Sequence, residues 1–304
     1  MKYLKLFDAH SNYETFVGDT LNPMIKPNVS HCVQENDVHY NPLKHDYSKD
    51  YLTIESLEDN NRICWTATSP DIRKTISAST DNGQTWTSFT ASYDAGTPEY
   101  VPTTIATLNA GEKVLVKGEN ASYGESDIVL NNLYGLKRFN VSGNIMSLIY
   151  GDSFENNNVL TEDGSFLGLF RICDVVSAEN LILPATTLAN WCYYSMFRGC
   201  TSLVTAPELP ATTLAWSCYD TMFAGCTSLT TAPELPATTL ASNCYTAMFA
   251  GCTSLTTVAQ VPSSVVPISS DCCSYMYCDC PIIEISNNYP ISAYNCAQST
   301  PVID

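Results

Sequence analysis

The cysteines and histidines have the clearest capacity for chemistry, and, apart from the neighbours His31 and Cys32, the sequence keeps them apart. The chain of 304 residues has 14 cysteines and four histidines, and the histidines are His10, His31, His39 and His45. A cysteine nucleophile needs a base beside it. Because no histidine follows position 45, the later cysteines have no histidine near them in sequence. Catalysis by a cysteine and a histidine therefore has no support.

A metal site is the second chemistry that the cysteines could provide. Cys272, Cys273, Cys278 and Cys280 are close in sequence, but they lack the paired CxxC spacing of zinc sites and have no histidine nearby. Most other cysteines recur at fixed positions, as expected for small apolar residues in a core. We therefore predict buried free thiols, with no metal and no cofactor, and a zinc site stays the alternative.

Residues 79–86, SxDxGxTW in pattern, resemble the Asp-box hairpin of sialidases, where this motif has a structural role. A sialidase also needs an arginine cluster and a catalytic acid. This chain has one Asp box and only five arginines, which are Arg62, Arg73, Arg138, Arg171 and Arg198. We therefore expect an isolated β-hairpin with a buried tryptophan. Because GxGxxG, GxxxxGK[ST] and HExxH are also missing from the sequence, we predict that the protein is not an enzyme.

The other side chains that could form a site belong to a 26-residue sequence repeat, which must position them. LPATTLA begins at Leu183, Leu209 and Leu235, and a degenerate copy begins at Val261. Each complete copy continues with Cys-Tyr, Met-Phe and Gly-Cys-Thr-Ser-Leu. The β-branched run from Thr201 predicts a strand of a parallel stack, and residues 190–200 predict a short helix.

At about 100° per residue, one arc of this helix is constant between copies and the opposite arc varies. The constant arc predicts the structural core, formed by Cys192, Met196, Phe197, Cys200, Cys218, Met222, Phe223, Cys226, Cys244, Met248, Phe249 and Cys252. The variable arc predicts a ligand-binding face, formed by Asn190, Trp191, Tyr194, Ser195, Arg198, Trp216, Ser217, Asp220, Thr221, Ser242, Asn243 and Thr246. Aromatic residues on such a face favour binding, although they could also simply cover the backs of the helices.

The pattern CYxxMFxGCTSL followed by LPATTLA resembles the BspA-type leucine-rich repeats of gut Bacteroidales surface proteins, over about residues 139–281. PNVSHCVQENDVHYNP, from Pro27, resembles the N-terminal segments of such proteins encoded by gut Bacteroidales and their phages. The resemblance implies surface display and adhesion or host recognition, with no catalytic residues.

The expected fold class is mixed α/β and β-rich: a C-terminal leucine-rich-repeat solenoid of parallel strands and short helices, preceded by an antiparallel β-sandwich. Residues 1–48 would form an N-terminal docking arm, with a loosely packed extension as the alternative. Short alternating runs separated by turn residues place the β-sandwich, with its Asp-box-like hairpin, at residues 49–143. Residues 144–304 would form the solenoid with its C-terminal cap.

The net charge and the composition of the segments limit the classes of partner that the protein could bind. The net charge of −17 opposes binding to nucleic acid or anionic lipid, and neither a signal peptide nor a membrane-inserting segment is visible. The leading hypothesis is a phage tail-fibre or virion-surface protein that contacts a host cell-surface protein or glycan. Its N-terminal arm would dock to other virion proteins, and it could form a homo-oligomer. The alternative is an extracellular bacterial cell-surface adhesin with the same repeats, and a glycan-active enzyme is the third class.

Overall fold

A computed structural model describes residues 4–7, 13–16, 45–93, 101–265, 270–282 and 289–293. The chain divides into two compact units, Met1–Asp46 and Tyr47–Asp304. In the first unit, β1 (Leu4–Phe7) pairs antiparallel with β2 (Tyr13–Phe16). Most of the proposed docking arm lies outside the described residues.

The second unit contains short strands and very short helices. Its strands are β3 (Leu52–Ser56), β4 (Asn61–Ala67), β5 (Thr75–Ser79), β6 (Thr87–Thr90), β7 (Ser92–Tyr93), β8 (Thr103–Leu108), β9 (Lys113–Gly118), β10 (Gly124–Ser126), β11 (Val129–Gly135), β12 (Phe139–Asn144) and β13 (Val175–Ile182). Its α-helices are α1 (Ser147–Tyr150) and α2 (Ser270–Cys273). Single 3-10 turns occur at Tyr47–Lys49, Pro70–Ile72, Gly151–Ser153, Ser263–Val265 and Ile291–Ala293.

The strands form two mixed sheets, so the expectation of an antiparallel β-sandwich is wrong. One sheet has the order β10-β11-β4-β7, with β8 also paired to β4. The other has the order β13-β12-β3-β9-β5-β6. The pairs β4–β7 and β12–β13 are parallel. Alternating side chains such as Val114 and Val116 of β9 are fully buried, as expected for strands that bury one face.

The predicted leucine-rich-repeat solenoid of parallel strands and short helices is also wrong. Within the described copies, residues 190–200 and their equivalents form consecutive tight turns, and the run from Thr201 makes one isolated bridge, from Thr205 to Ser177, in place of a strand. The physical reason is a left-handed φ at every fourth residue, as at Trp191 (54°), Ser195 (52°) and Gly199 (76°). Such residues interrupt a right-handed helix. The fold is therefore β-rich with very few helices.

We call the turn segments at residues 164–172, 191–199, 217–225, 243–251 and 275–279 tiers. Backbone hydrogen bonds join each tier to the next: Trp191 N–H donates to the Trp216 carbonyl at 3.0 Å, and Gly199 N–H to the Ala224 carbonyl at 2.8 Å. Intervening N–H groups close turns within a tier, as when Tyr194 N–H donates to the Trp191 carbonyl at 3.1 Å. Both sets satisfy backbone groups that regular strands or helices would otherwise pair.

Two residues in every four point inward, and these side chains form columns across the tiers. The rings of Phe197 and Phe223 are stacked with centroids 5.8 Å apart, and those of Tyr193 and Tyr219 with centroids 5.7 Å apart. The residues of the proposed structural core are all 0% exposed: Cys192, Met196, Phe197, Cys200, Cys218, Met222, Phe223, Cys226, Cys244, Met248, Phe249 and Cys252. Burial in this interior raises the pKa of thiols such as Cys192 and Cys226.

The cysteines of the complete repeat copies are free thiols: Cys192, Cys200, Cys218, Cys226, Cys244 and Cys252. The thiols of Cys200 and Cys226 donate to the carbonyls of Phe170 and Phe197 at 2.9 and 3.2 Å. Cys278 departs from the prediction of a free thiol, because it is disulfide-bonded. Among the described residues, no cluster of three or more histidines, cysteines or acids could hold a metal ion.

Replacing Ile172 by glycine should stabilise the protein. Ile172 has a φ of 55° and is 71% exposed, and in the next tier Gly199 occupies the equivalent position. A left-handed φ costs a residue with a Cβ about 1–2 kcal/mol, whereas the entropy that glycine loses costs about 0.5–1 kcal/mol. We therefore expect the free energy of unfolding to rise by about 0.5–1 kcal/mol in urea denaturation.

Ile128→Gly is the matched control, because Ile128 is 76% exposed and is not among the residues with positive φ. This variant should lose stability. If both glycine variants were destabilised equally, the left-handed strain at Ile172 would be refuted.

Candidate functional site

The candidate site is the outward face of the tiers, which we define as positions 190, 191, 194, 195 and 198 and their equivalents in neighbouring tiers. The four-residue turns alternate two inward and two outward residues, so these positions share one side. Inter-tier hydrogen bonds and stacked rings hold the backbone beneath them. Side chains on such a regular backbone are preorganised for contact.

One end of this face carries a pair of tryptophans. The rings of Trp191 and Trp216 have centroids 4.7 Å apart at an interplanar angle of 45°. Asn190 positions the pair, because its Oδ1 accepts from Trp216 N–H at 3.2 Å while its own N–H donates to Asp163 Oδ1 at 3.1 Å. Trp216 is 42% exposed, and Trp191 is half-buried. The pair offers aromatic surface to a ligand.

The centre of the face carries hydroxyls and one unusual carboxyl. The hydroxyls of Ser195 and Thr221 are 2.8 Å apart, and Ser195 N–H donates to the carbonyl of Asp220 at 3.0 Å. Burial raises the pKa of the Asp220 carboxyl to about 7, although hydrogen bonds from Ser217 and Thr221 oppose the rise. Burial, followed by the charge of Asp220, also raises the pKa of Tyr194. Asp220 can therefore gain or lose a proton near neutral pH.

Two arginines from neighbouring tiers form the other end. Arg171 Nη1 lies 3.0 Å from Asp127 Oδ1, and Arg198 Nη1 lies 3.5 Å from Asp127 Oδ2. Asp127 comes from the connection between β10 and β11. The Nε of Arg171 is buried and has no hydrogen-bond partner. This end therefore combines two guanidinium groups with one carboxylate.

The structure corrects part of the proposed ligand-binding face. Ser195 and Ser217 are only 0% and 3% exposed, so they cannot form a contact surface. Each sits in a backbone turn with a left-handed φ, and the hydroxyl of Ser195 lies against that of Thr221 in the next tier. Of the rest, Trp216 and Ser242 are exposed, and the half-buried residues are Asn190, Trp191, Tyr194, Arg198, Asp220, Thr221, Asn243 and Thr246.

Sequence reasoning missed Asp127, Asp163 and Arg171. Arg171 has a weak signal, because it precedes Arg198 by 27 residues, one more than the 26-residue period of the repeat. Asp127 has none, since it is 71 residues from Arg198 and lies outside the repeat.

The Asp-box hairpin joins β5 to β6 at the edge of the six-stranded sheet, so it is not isolated. Asp81 Oδ1 accepts from Thr85 N–H at 2.9 Å, and Ser79 Oγ accepts from Gly83 N–H at 2.9 Å. The hydrogen bond from the Thr85 side chain is the main reason that the pKa of Asp81 falls to about 2. Trp86 is half-buried, not buried as expected, and Lys117 Nζ lies 4.2 Å from its ring centroid. The carboxylate of Asp81 therefore accepts hydrogen bonds from within the turn.

Comparisons with known proteins found no match to a family model, to a curated protein or to a solved structure. The resemblance to BspA-type repeats therefore stays a prediction. No helix of the described ranges is long and apolar enough to cross a membrane.

Proposed function

We propose that this protein is a non-catalytic recognition protein whose outward face binds a glycan on a bacterial host surface. The observation that carries this proposal is the tryptophan pair at Trp191 and Trp216, displayed beside hydroxyl, amide and carboxyl groups on a hydrogen-bonded backbone. Aromatic faces provide contact area at little cost in side-chain entropy, and polar neighbours add orientation.

We propose the surface of a phage virion as the place of action, with the protein serving as a tail fibre or related receptor-binding component. Its N-terminal segment would contact other virion proteins. The resemblance of the repeats and of the segment from Pro27 supports this setting. Display on a bacterial cell as an adhesin is the alternative, and genes for tail or capsid components next to this one would favour the virion.

Trp216→Ala is the test of the proposed contact face. We expect binding of the full chain to host cells, or to immobilised cell-surface glycans, to weaken by about tenfold or more, as for an aromatic residue that anchors a contact. Losing the ring contact with Trp191 should lower the free energy of unfolding by only about 1 kcal/mol. Binding and denaturation are therefore measured on the same preparation.

Val204→Ala is the matched control, because Val204 is also 42% exposed but lies outside the outward face. It should bind like the parent. If Trp216→Ala also bound like the parent, the outward face would not be the contact surface.

A further inference from the structure

One end of the outward face holds two arginines in a chain that is otherwise acidic. The whole protein has a net charge of −17, and Arg198 is the only lysine or arginine between Leu183 and Cys280. Arg171 lies one tier away at the equivalent position, and the side chains of Arg171 and Arg198 are 23% and 24% exposed. Two cations in neighbouring tiers, partly open to solvent, are therefore a local feature of this face.

At the end of the outward face that holds Arg171 and Arg198, the positive charge exceeds the negative charge. Asp127 is the only carboxylate in ion pairs with both arginines in the described part of the chain. Its contact with Arg198 is long, at 3.5 Å, and leaves guanidinium donors available to a ligand. Asp220 is an acid beside Arg198, and because burial raises its pKa to about 7, it carries only part of a negative charge at neutral pH. The unpartnered Nε of Arg171 adds a donor whose burial without an acceptor is costly.

We propose that the outward face binds an acidic oligosaccharide, with a sugar carboxylate at Arg198 and a sugar ring against Trp216. Guanidinium and carboxylate groups form paired, charge-assisted hydrogen bonds. In the order of residues along the tiers, Tyr194 and Thr221 lie between the cationic and aromatic ends, and their hydroxyls suit the hydroxyl groups of a sugar. This inference rests on the proposed function and adds the class of ligand.

The first experiment needs no variant. The full chain is applied to a glycan array that includes sialyllactose with lactose, and trigalacturonate with its methyl ester. Each pair differs in negative charge, and the ester retains the sugar skeleton. We expect retention of at least one acidic member, with affinity about tenfold or more above its neutral counterpart. We also expect this preference to shrink as salt is added, since partly exposed charges are screened.

Arg198→Gln then tests the residue assignment. It should reduce binding of the retained acidic glycan by about tenfold or more, and Arg198→Lys should have an intermediate effect because it keeps the charge but loses the planar fork. Arg138→Gln is the control, since Arg138 is exposed and pairs with Glu58, and both residues lie in connections next to the β-sheet strands β12 and β3. It should bind like the parent. Thermal melting of each variant checks its fold.

The outcomes separate the two proposals. Retention of neutral glycans alone, or equal affinity for trigalacturonate and its ester, would overturn the acidic-ligand inference and leave glycan recognition standing. An acidic preference that survives in a folded Arg198→Gln variant would also overturn it. Failure of the parent to retain any glycan would contradict both proposals.

Discussion

The Phe223→Asp variant is expected to lose the folded structure of the tiers. Phe223 is 0% exposed, and its ring stacks between those of Phe197 and Phe249 with centroids 5.8 and 5.7 Å away. Removing a buried phenylalanine side chain costs about 3–5 kcal/mol, and a buried unpaired carboxylate adds several more. The sum approaches the whole free energy of unfolding of a typical domain, about 5–15 kcal/mol.

Two controls isolate this effect. Ala224→Asp introduces the same side chain at the neighbouring outward position and should cost less than about 1 kcal/mol. Phe223→Leu keeps an apolar side chain and should cost about 1.5 kcal/mol or somewhat more. Urea denaturation and limited proteolysis measure the result. If Phe223→Asp unfolded at the same urea concentration as Ala224→Asp, the stacked interior would be refuted.

Asp220→Asn has the second largest expected effect, and it depends on pH. Burial raises the pKa of Asp220 from 3.8 to about 7, so the folded protein holds this proton more tightly than the unfolded chain. Between about pH 4 and pH 7 the parent therefore loses stability as pH rises. Asparagine cannot ionise, so the variant lacks this loss. A tenfold change in proton affinity corresponds to about 1.4 kcal/mol, and, allowing for partial solvent access, we expect the variant to gain about 2 kcal/mol by pH 8.

The measurement is the difference in free energy of unfolding between Asp220→Asn and the parent across pH 4 to 8. Asp81→Asn is a control of opposite sign, because hydrogen bonds lower the pKa of Asp81 to about 2. Its variant should lose stability relative to the parent at neutral pH, and this difference should stay constant down to about pH 4 and shrink only between about pH 4 and pH 2, so the control series extends to pH 2. A pH-independent difference for Asp220→Asn would contradict the burial of its carboxyl.

The sequence identified the inward residues but not the backbone that carries them. Cys192, Tyr193, Met196 and Phe197 follow the spacing i, i+1, i+4 and i+5, which suits both an α-helix and four-residue turns with two residues inward. Over eight residues the helical pattern drifts by about 80°, which is too little to separate the two over one short segment. The left-handed φ at Ser195 and Thr221 depends on hydrogen bonds to the next tier.

The strand pairing in the sheets and the residues of the cationic end could not be fully predicted from the sequence, for a different reason. Alternating residues indicate that a strand forms, but not which strand it pairs with, so the parallel pairing of β13 with β12 could not be predicted. Arg198 and Trp216 could be proposed as site residues because they vary between copies. Asp127 could not, since only the folded chain brings the connection between β10 and β11 to the arginines.

The central claim is that the tryptophan pair of the outward face touches the ligand, and the four indole N–H signals of the full chain test it most directly. Trp65 is buried, Trp86 lies in the Asp-box hairpin, and Trp191 and Trp216 lie on the outward face. With signals assigned by Trp→Phe variants, titration with trigalacturonate or sialyllactose, whichever the array retains, should shift those of Trp191 and Trp216 and leave Trp65 and Trp86 unchanged. Shifts confined to Trp86, with Trp191 and Trp216 unmoved at saturation, would contradict the account.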